Sequence, residues 1–326
     1  MRSVFFVLKS MKKIKVFVTT NFFCNYSCEY CYLGGLRYSN VVIKTDELYR
    51  QLQAISFVRD IEEIVIAGGE TTLLPMETIK KIIFICKQFT DNISFVTNFS
   101  DTKKAEEIYK IVGSLSVSLN KERTNYDEIV QKLLSTELKN ISLSIVATPS
   151  IINKNINEFI RELELFARPV LLLRYSPSIY NKTDYKINNR EYENFLQSLI
   201  KTYMEKPRNF KLLNIEEIER CLEKQEEPWK ESYIFIDPYN RFTSLDYKYG
   251  REYFKTYDSF LEFIKDSKKE KEEFARICNN CKYFGHCYAE HMKTWNPDDS
   301  CCGMKGLVEW YEENIYQDNG KLQSML

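Results

Sequence analysis

The stretch IKVFVTTNFFCNYSCEYCY (14–32) carries a β-branched, apolar run straight into three cysteines. IKVFVTT (14–20) predicts a strand, so Cys24, Cys28 and Cys31 lie in the loop at its carboxyl end. Outward from there the same unit recurs. TDELYRQLQAISFV (45–58), with Leu48, Leu52 and Ile55 at helical spacing, precedes the strand IEEIVIAGG (61–69). Helix ETIKKIIFICKQF (77–89) precedes strand ISFVTN (93–98), and TKKAEEIYKIV (102–112) precedes SLSVSL (114–119). YDEIVQKLLS (126–135) leads to ISLSIVAT (141–148), and NEFIRELELFA (157–167) to PVLLLRYS (169–176). Strands separated by amphipathic helices predict an α/β fold with a parallel sheet covered by helices. Six units fall short of a closed eight-stranded barrel, so a partial (β/α)6 barrel is expected, with its reactive site at the carboxyl ends of the strands. The cysteine loop and Gly68-Gly69-Glu70 both fall at that end.

Lysine plus arginine and aspartate plus glutamate are equal at 46 each, so no overall field draws nucleic acid or an anionic membrane. The opening MRSVFFVLKSMKK is too short in apolar residues for a signal-peptide core or a membrane span. Residues 1–11 read as a short leader, and the chain as cytoplasmic. In a reducing compartment, clustered cysteines point to metal or catalysis rather than to disulfides. Cys86, within IIFIC, and Cys221 read as isolated structural thiols.

Three thiolates in one loop suit a [4Fe–4S] cluster with one iron left open, since four cysteines are the usual set. A zinc site, or a distant fourth cysteine, is the alternative on these residues alone. The pattern Cys24-x3-Cys28-x-Tyr30-Cys31, followed by Gly68-Gly69-Glu70, resembles the radical S-adenosylmethionine superfamily. There the glycine-rich segment binds the amino group of S-adenosylmethionine; the proline usual after the glutamate is Thr71 here. The resemblance implies that S-adenosylmethionine chelates the open iron and is cleaved by one electron to methionine and a 5′-deoxyadenosyl radical. It also implies cofactor contacts from Tyr30, from Asn98 in a TNF resembling the TNG of relatives, and from Ser118. A flavodoxin or ferredoxin-type donor would supply the electron.

After Pro177 the alternation stops. IYNKTDYKINNR (179–190) reads as a linker, EYENFLQSLIKTYM (191–204) as a helix, and IEEIERCLEKQEEPWKE (215–231) and KDSKKEKEEFAR (265–276) as solvated helix faces. The expected organisation is a core over 12–177, a bridge over 178–231 and a small α+β domain over 232–326. Cys278-x2-Cys281-x5-Cys287 resembles the SPASM and Twitch extensions that carry auxiliary clusters. The resemblance implies a second [4Fe–4S] cluster on Cys278, Cys281, Cys287 and Cys301, with a structural zinc on the same thiolates as the alternative. The hairpin IDPYNRFTSLD (236–246) resembles the family's IDPDGxVYPC, with Asn240 for its glycine and Leu245 for its cysteine. His291 replaces a further ligand, so the inner auxiliary cluster is expected to be absent. Asp246, by analogy with sulfatase-maturing relatives, is a candidate base. Cys302, by analogy with peptide epimerases, is a candidate hydrogen donor.

Relatives with this C-terminal pattern modify peptide or protein side chains by crosslinking, epimerisation or oxidation, which makes a peptide or protein the expected substrate. The first strand begins by Ile14, so no leader-binding domain is expected ahead of it. Two other classes stay open: a radical dehydrogenase of a sugar or nucleoside, and a non-catalytic metal-binding interaction protein.

Overall fold

The structure, a computed structural model, describes residues 12–223, 232–248, 251–278, 280–287 and 304–316. Strands β1 (Lys13–Thr19), β2 (Asp60–Ala67), β3 (Ile93–Thr97), β4 (Leu115–Ser118), β5 (Ile141–Ala147) and β6 (Val170–Arg174) lie side by side in chain order. All five of these pairings are parallel. Between them run α1 (Thr45–Ser56), α2 (Met76–Cys86), α3 (Thr102–Val112), α4 (Tyr126–Ser135), the short α5 (Pro149–Ile152) and α6 (Ile156–Phe166). The expected partial barrel is therefore present, each element within a few residues of its sequence reading.

The helices cover one face of the sheet. Along β1, β3, β4 and β5, buried and half-buried residues alternate. Period two sends alternate side chains to opposite faces. Val16, Val18, Ile64, Ile66, Phe95, Val117 and Leu143 share one core with Leu48, Leu52, Ile82 and Ile108 of the helices. Each such side chain contributes about 1.5–3 kcal/mol by leaving water. The other face is half-open and polar: Ser116 pairs with Ser142 and Ser118 with Ser144. Ser116 Oγ lies 2.8 Å from Ser144 Oγ, and Lys15 pairs with Glu63 at 3.2 Å. The helix-covered parallel sheet of the sequence reading is present, with the helices on one face. The serines alternating with β-branched residues mark the face left open.

Beyond β6 come α7 (Asn189–Met204), started by an Asn188–Glu191 capping box, and α8 (Leu213–Leu222). Then β7 (Tyr233–Ile236) pairs parallel with the free edge of β1. Strands β8 (Phe242–Lys248) and β9 (Arg251–Tyr257) follow antiparallel, so one nine-stranded sheet runs β6-β5-β4-β3-β2-β1-β7-β8-β9. Helices α9 (Phe260–Cys278) and α10 (Lys305–Tyr311) complete the described elements. The hairpin expected over 236–246 is the β7–β8 turn. Asn240 takes φ +60° there, a conformation asparagine tolerates better than most residues. Its side chain also accepts from Lys44 N at 2.9 Å and donates to Lys44 O at 3.0 Å, tying the turn to the start of α1. Among the described residues no helix is long and apolar enough to cross a membrane.

Candidate active site

The first two strand ends are joined by backbone. Thr20 N donates to Ala67 O at 2.8 Å, Gly69 N to Asn21 O at 2.8 Å, and Glu70 N to Phe23 O at 2.9 Å. This close approach, rather than an unusual φ, is why glycines stand at 68 and 69. A Cβ on Gly69 would fall 2.1 Å from Phe23 O, and one on Gly68 2.7 Å from Asn21 Oδ1. Buried Asn21 stiffens the crossing by donating to Phe23 O at 2.7 Å. The cysteine loop thus starts from a fixed anchor.

Glu70 is 2% exposed, and its carboxylate is held by four donors. Oε1 accepts from Thr72 N at 3.1 Å, Thr72 Oγ1 at 2.6 Å and Thr97 Oγ1 at 2.8 Å. Oε2 accepts from Asn98 N at 2.6 Å. A carboxylate offers about four lone-pair sites, so Oε2 is the oxygen with capacity for one more donor. The Asn98 amide reaches the other way, to Asn25 Oδ1 at 2.8 Å and Cys24 Sγ at 3.8 Å. Asn98 thereby joins β3, Glu70 and the cysteine loop. The next residue, Phe99, is fully buried at φ +60°, where a bulky side chain is strained by about 1–3 kcal/mol. This is the position at which the relatives' TNG has glycine.

The three thiols of the loop are all half-buried. Tyr26 N donates to Cys24 Sγ at 3.3 Å. Burial pushes the Cys31 thiol up to about 11 and raises Cys24 as well. Such thiols ligate only after losing their protons, which a metal centre drives. Tyr30 is buried, and its hydroxyl accepts from Arg123 Nε at 2.9 Å. Arg123, on the loop between β4 and α4, also lies over the Tyr26 ring at 5.9 Å. Burial works against its charge, but the neighbouring Tyr30, Cys28 and Glu70 raise its pKa on balance, so its guanidinium stays charged. Its Nη1 is buried with no hydrogen-bond partner, a cost of about 1–3 kcal/mol unless a ligand meets it. The charge-assisted partner that such a nitrogen wants is an anion.

The loop brings three thiols together in sequence, though among the described residues no three His, Cys, Asp or Glu side chains converge as a metal site; beside it stand an acceptor at Glu70 Oε2 suited to an ammonium and an orphan donor at Arg123 Nη1 suited to a carboxylate. Among protein families, the radical SAM superfamily matches residues 18–166. This stretch is a radical SAM domain. No curated protein matches the chain. In fold it is similar to native anSMEcpe with bound AdoMet, with a TM-score of 0.65 and 15% identity over 96% of this chain and 100% of that one. The anSMEcpe complex with the Cp18Cys peptide gives 0.64 and 14% over the same shares. Streptococcus suis SuiB bound to S-adenosylmethionine gives 0.56 and 13% over 85% of this chain and 72% of that one. The chain thus carries a radical SAM domain, a family whose members use a [4Fe–4S] cluster and S-adenosylmethionine.

The remaining candidates lie further out. Ser118 ends β4 on the open face, half-buried. Cys278, the last residue of α9, and Cys281 and Cys287 just after it are half-buried. Cys301, Cys302 and His291 lie outside the described residues. Cys221 is buried on α8, its thiol pushed up to about 11 by burial and by nearby Cys281, so it borders the C-terminal cysteines. Asp246 sits on β8 opposite Tyr253, with Lys255 Nζ 3.7 Å away. Lys255 in turn binds both oxygens of Asp266 on α9 at 2.8 Å. Strand alternation puts Asp246 on the face opposite Leu245 and Phe254, and Phe254 is the residue that packs on Tyr32 of the cysteine loop at 6.1 Å. Sequence reasoning missed Asn21, Asn25 and Arg123. A polar side chain directly after an apolar strand was the available signal for the first.

Proposed function

We propose that this radical SAM enzyme modifies a side chain of a peptide or protein. The cluster with S-adenosylmethionine supplies one-electron cleavage and hydrogen-atom abstraction. Around it the chain's own residues bind and orient. Cys24, Cys28 and Cys31 would hold the cluster; Glu70 would take the ammonium of S-adenosylmethionine, and Arg123 its carboxylate. The open sheet face offers the substrate two unlike walls. Ser94, Ser116, Ser118, Ser142 and Ser144 carry hydroxyls on β3 to β5. On the other side Phe17 stacks on Phe235 at 4.8 Å, and Phe235 meets Phe254 at 6.1 Å. Cys278, Cys281 and Cys287 with Cys301 would hold a second cluster in a SPASM or Twitch-like region, and a flavodoxin or ferredoxin-type protein would deliver electrons.

The observation that carries the peptide reading is the fold likeness over 96% of the chain, C-terminal region included, to anSMEcpe with its Cp18Cys peptide. The hydroxyl-lined wall favours a second reading, a sugar or nucleoside substrate. The test is to incubate the reduced enzyme with S-adenosylmethionine and either deuterated peptide libraries or deuterated sugars and nucleosides. Deuterium in 5′-deoxyadenosine together with a mass change of a peptide is expected. Deuterium transfer from the small molecules alone would replace the proposal with the second reading.

A further inference from the structure

Glycine takes a left-handed turn without strain, so a phenylalanine at φ +60° just after β3 needs a reason. Phe99 is fully buried, and its ring belongs to the core that also holds Phe95, Ala105 and Ile108. Removing that ring from water offsets the strained backbone. It also fixes the turn, where glycine would leave the chain more conformations to choose from.

The turn so fixed grips Glu70. Phe99 N donates to Thr97 Oγ1 at 3.0 Å, and the single proton of that hydroxyl goes to Glu70 Oε1 at 2.8 Å. Asn98 N donates to Glu70 Oε2 at 2.6 Å. One residue further on, Ser100 N donates to Asn98 Oδ1 at 2.9 Å. That bond sets the orientation of the Asn98 amide, so its Nδ2 faces the cysteine loop and donates to Asn25 Oδ1 at 2.8 Å. The left-handed backbone at Phe99 brings Ser100 N back onto Asn98 while Phe99 N stays on Thr97. Both oxygens of Glu70 are thus held from one turn, and Oε2 keeps capacity for a further donor.

We propose that Phe99 is a positioning residue for the ammonium of S-adenosylmethionine. Its buried ring locks the turn over 97–100, and the turn holds the Glu70 carboxylate where that ammonium binds. This rests on Glu70 being the ammonium's acceptor. Phe99, with no exposed surface, acts only through Thr97 and Asn98.

The experiment is isothermal titration of the full-length, cluster-loaded protein with two ligands: S-adenosylmethionine, and the analogue with hydrogen in place of its amino group. The wild type is expected to prefer S-adenosylmethionine by about 10- to 150-fold, the scale of one charged hydrogen bond. Phe99→Gly relieves the strain but frees the turn, so most of that preference is expected to go while the analogue binds as before. Phe99→Leu, which refills the core, is expected to keep it. A ratio in the glycine variant within about twofold of the wild-type ratio, the limit of additivity, would overturn the proposal. So would an equal loss of preference in the leucine variant, or an equal loss of affinity for both ligands, the mark of a merely structural side chain. A wild type without preference removes Glu70 as the acceptor, and the proposal with it. Because Phe99→Gly also opens a cavity, hydrogen exchange of the unaltered protein decides if that variant does not fold. The amides of Asn98 and Phe99 are expected to be protected before S-adenosylmethionine is added. Exchange at the rate of an open loop would mean that the turn is not locked, and the proposal fails.

Discussion

The two cysteine groups of this chain live in different surroundings. The N-terminal loop is fastened on every side: to β2 by backbone pairing at Gly69 and Glu70, to β3 by Asn98, to the β4–α4 loop by Arg123, and to the segment after β6 by Ser178 and Asn181. The described C-terminal turn carries hydrogen bonds within itself and packs Cys281 and Cys287 against the core. Cys281 N bonds Cys278 O, and Phe284 N bonds Cys281 O. Cys287 N bonds Tyr283 O, and Lys282 and Tyr283 reach out to Glu312 on the segment after α10. The difference is one of attachment: among the described residues the first loop is bonded to several neighbouring elements, and a metal bound by the C-terminal turn would be expected to add to that turn's order.

The largest effect that sharpens this contrast is a pair of triple variants. Replacing Cys24, Cys28 and Cys31 by alanine is expected to abolish 5′-deoxyadenosine formation while moving the thermal midpoint little. Cys24 and Cys28 lie on partly exposed residues, and the buried Cys31 thiol loses only one sulfur's volume, so the void left is small. Replacing Cys278, Cys281 and Cys287 is expected to remove the remaining metal and to lower the midpoint more. Equal destabilisation by the two sets, read by calorimetry beside iron and zinc analysis, would break the comparison.

Glu70→Ala probes the fastened site from within. It leaves buried donors on Thr72, Thr97 and Asn98 facing a void, so a loss of about 3 kcal/mol is expected in urea unfolding of the metal-free protein. An effect below about 0.5 kcal/mol would mean that the carboxylate does not organise the strand ends. A smaller change is expected from Arg123→Met. Removing one charged hydrogen bond of about 1.5–3 kcal/mol should weaken S-adenosylmethionine binding by about 10- to 150-fold. Arg123→Lys should not restore it, because an ammonium cannot serve Tyr30 and a carboxylate in one fixed fork. Unchanged affinity in isothermal titration of the cluster-loaded protein would remove the arginine from the site.

Much of this was legible in the sequence, for identifiable reasons. Strand and helix positions follow from periodicity, because each β/α unit buries one face of its own. The cysteine spacing and Gly68-Gly69-Glu70 declare themselves because ligation and close backbone approach admit few residue types. The polar shell was not legible. Arg123, Asn181 and Ser178 lie 92, 150 and 147 positions from Cys31 along the chain, which follows by subtraction of residue numbers. Nothing in a local window of loop sequence distinguishes a segment that fastens the cysteine loop from a linker. The joining of β7 to β1 was hidden for the same reason, since YIFI reads equally well as the strand of a separate domain.

The smallest expected effect concerns Asp246. A base that serves the reaction has to reach the substrate proton, yet this carboxylate shares Lys255 with Asp266 on the face of β8 turned away from Tyr32 and the cysteine loop. Asp246→Asn keeps a polar partner for Tyr253 and gives up one long, partly exposed ion pair, so less than about 1 kcal/mol of stability is expected to go. Cleavage of S-adenosylmethionine and turnover of substrate should then stay coupled as in the wild type. If the asparagine variant instead cleaved S-adenosylmethionine at the normal rate while product formation fell by about 100-fold, the scale of a lost general base, the carboxylate would be acting on substrate. The hairpin would then belong to the reactive site rather than to its support.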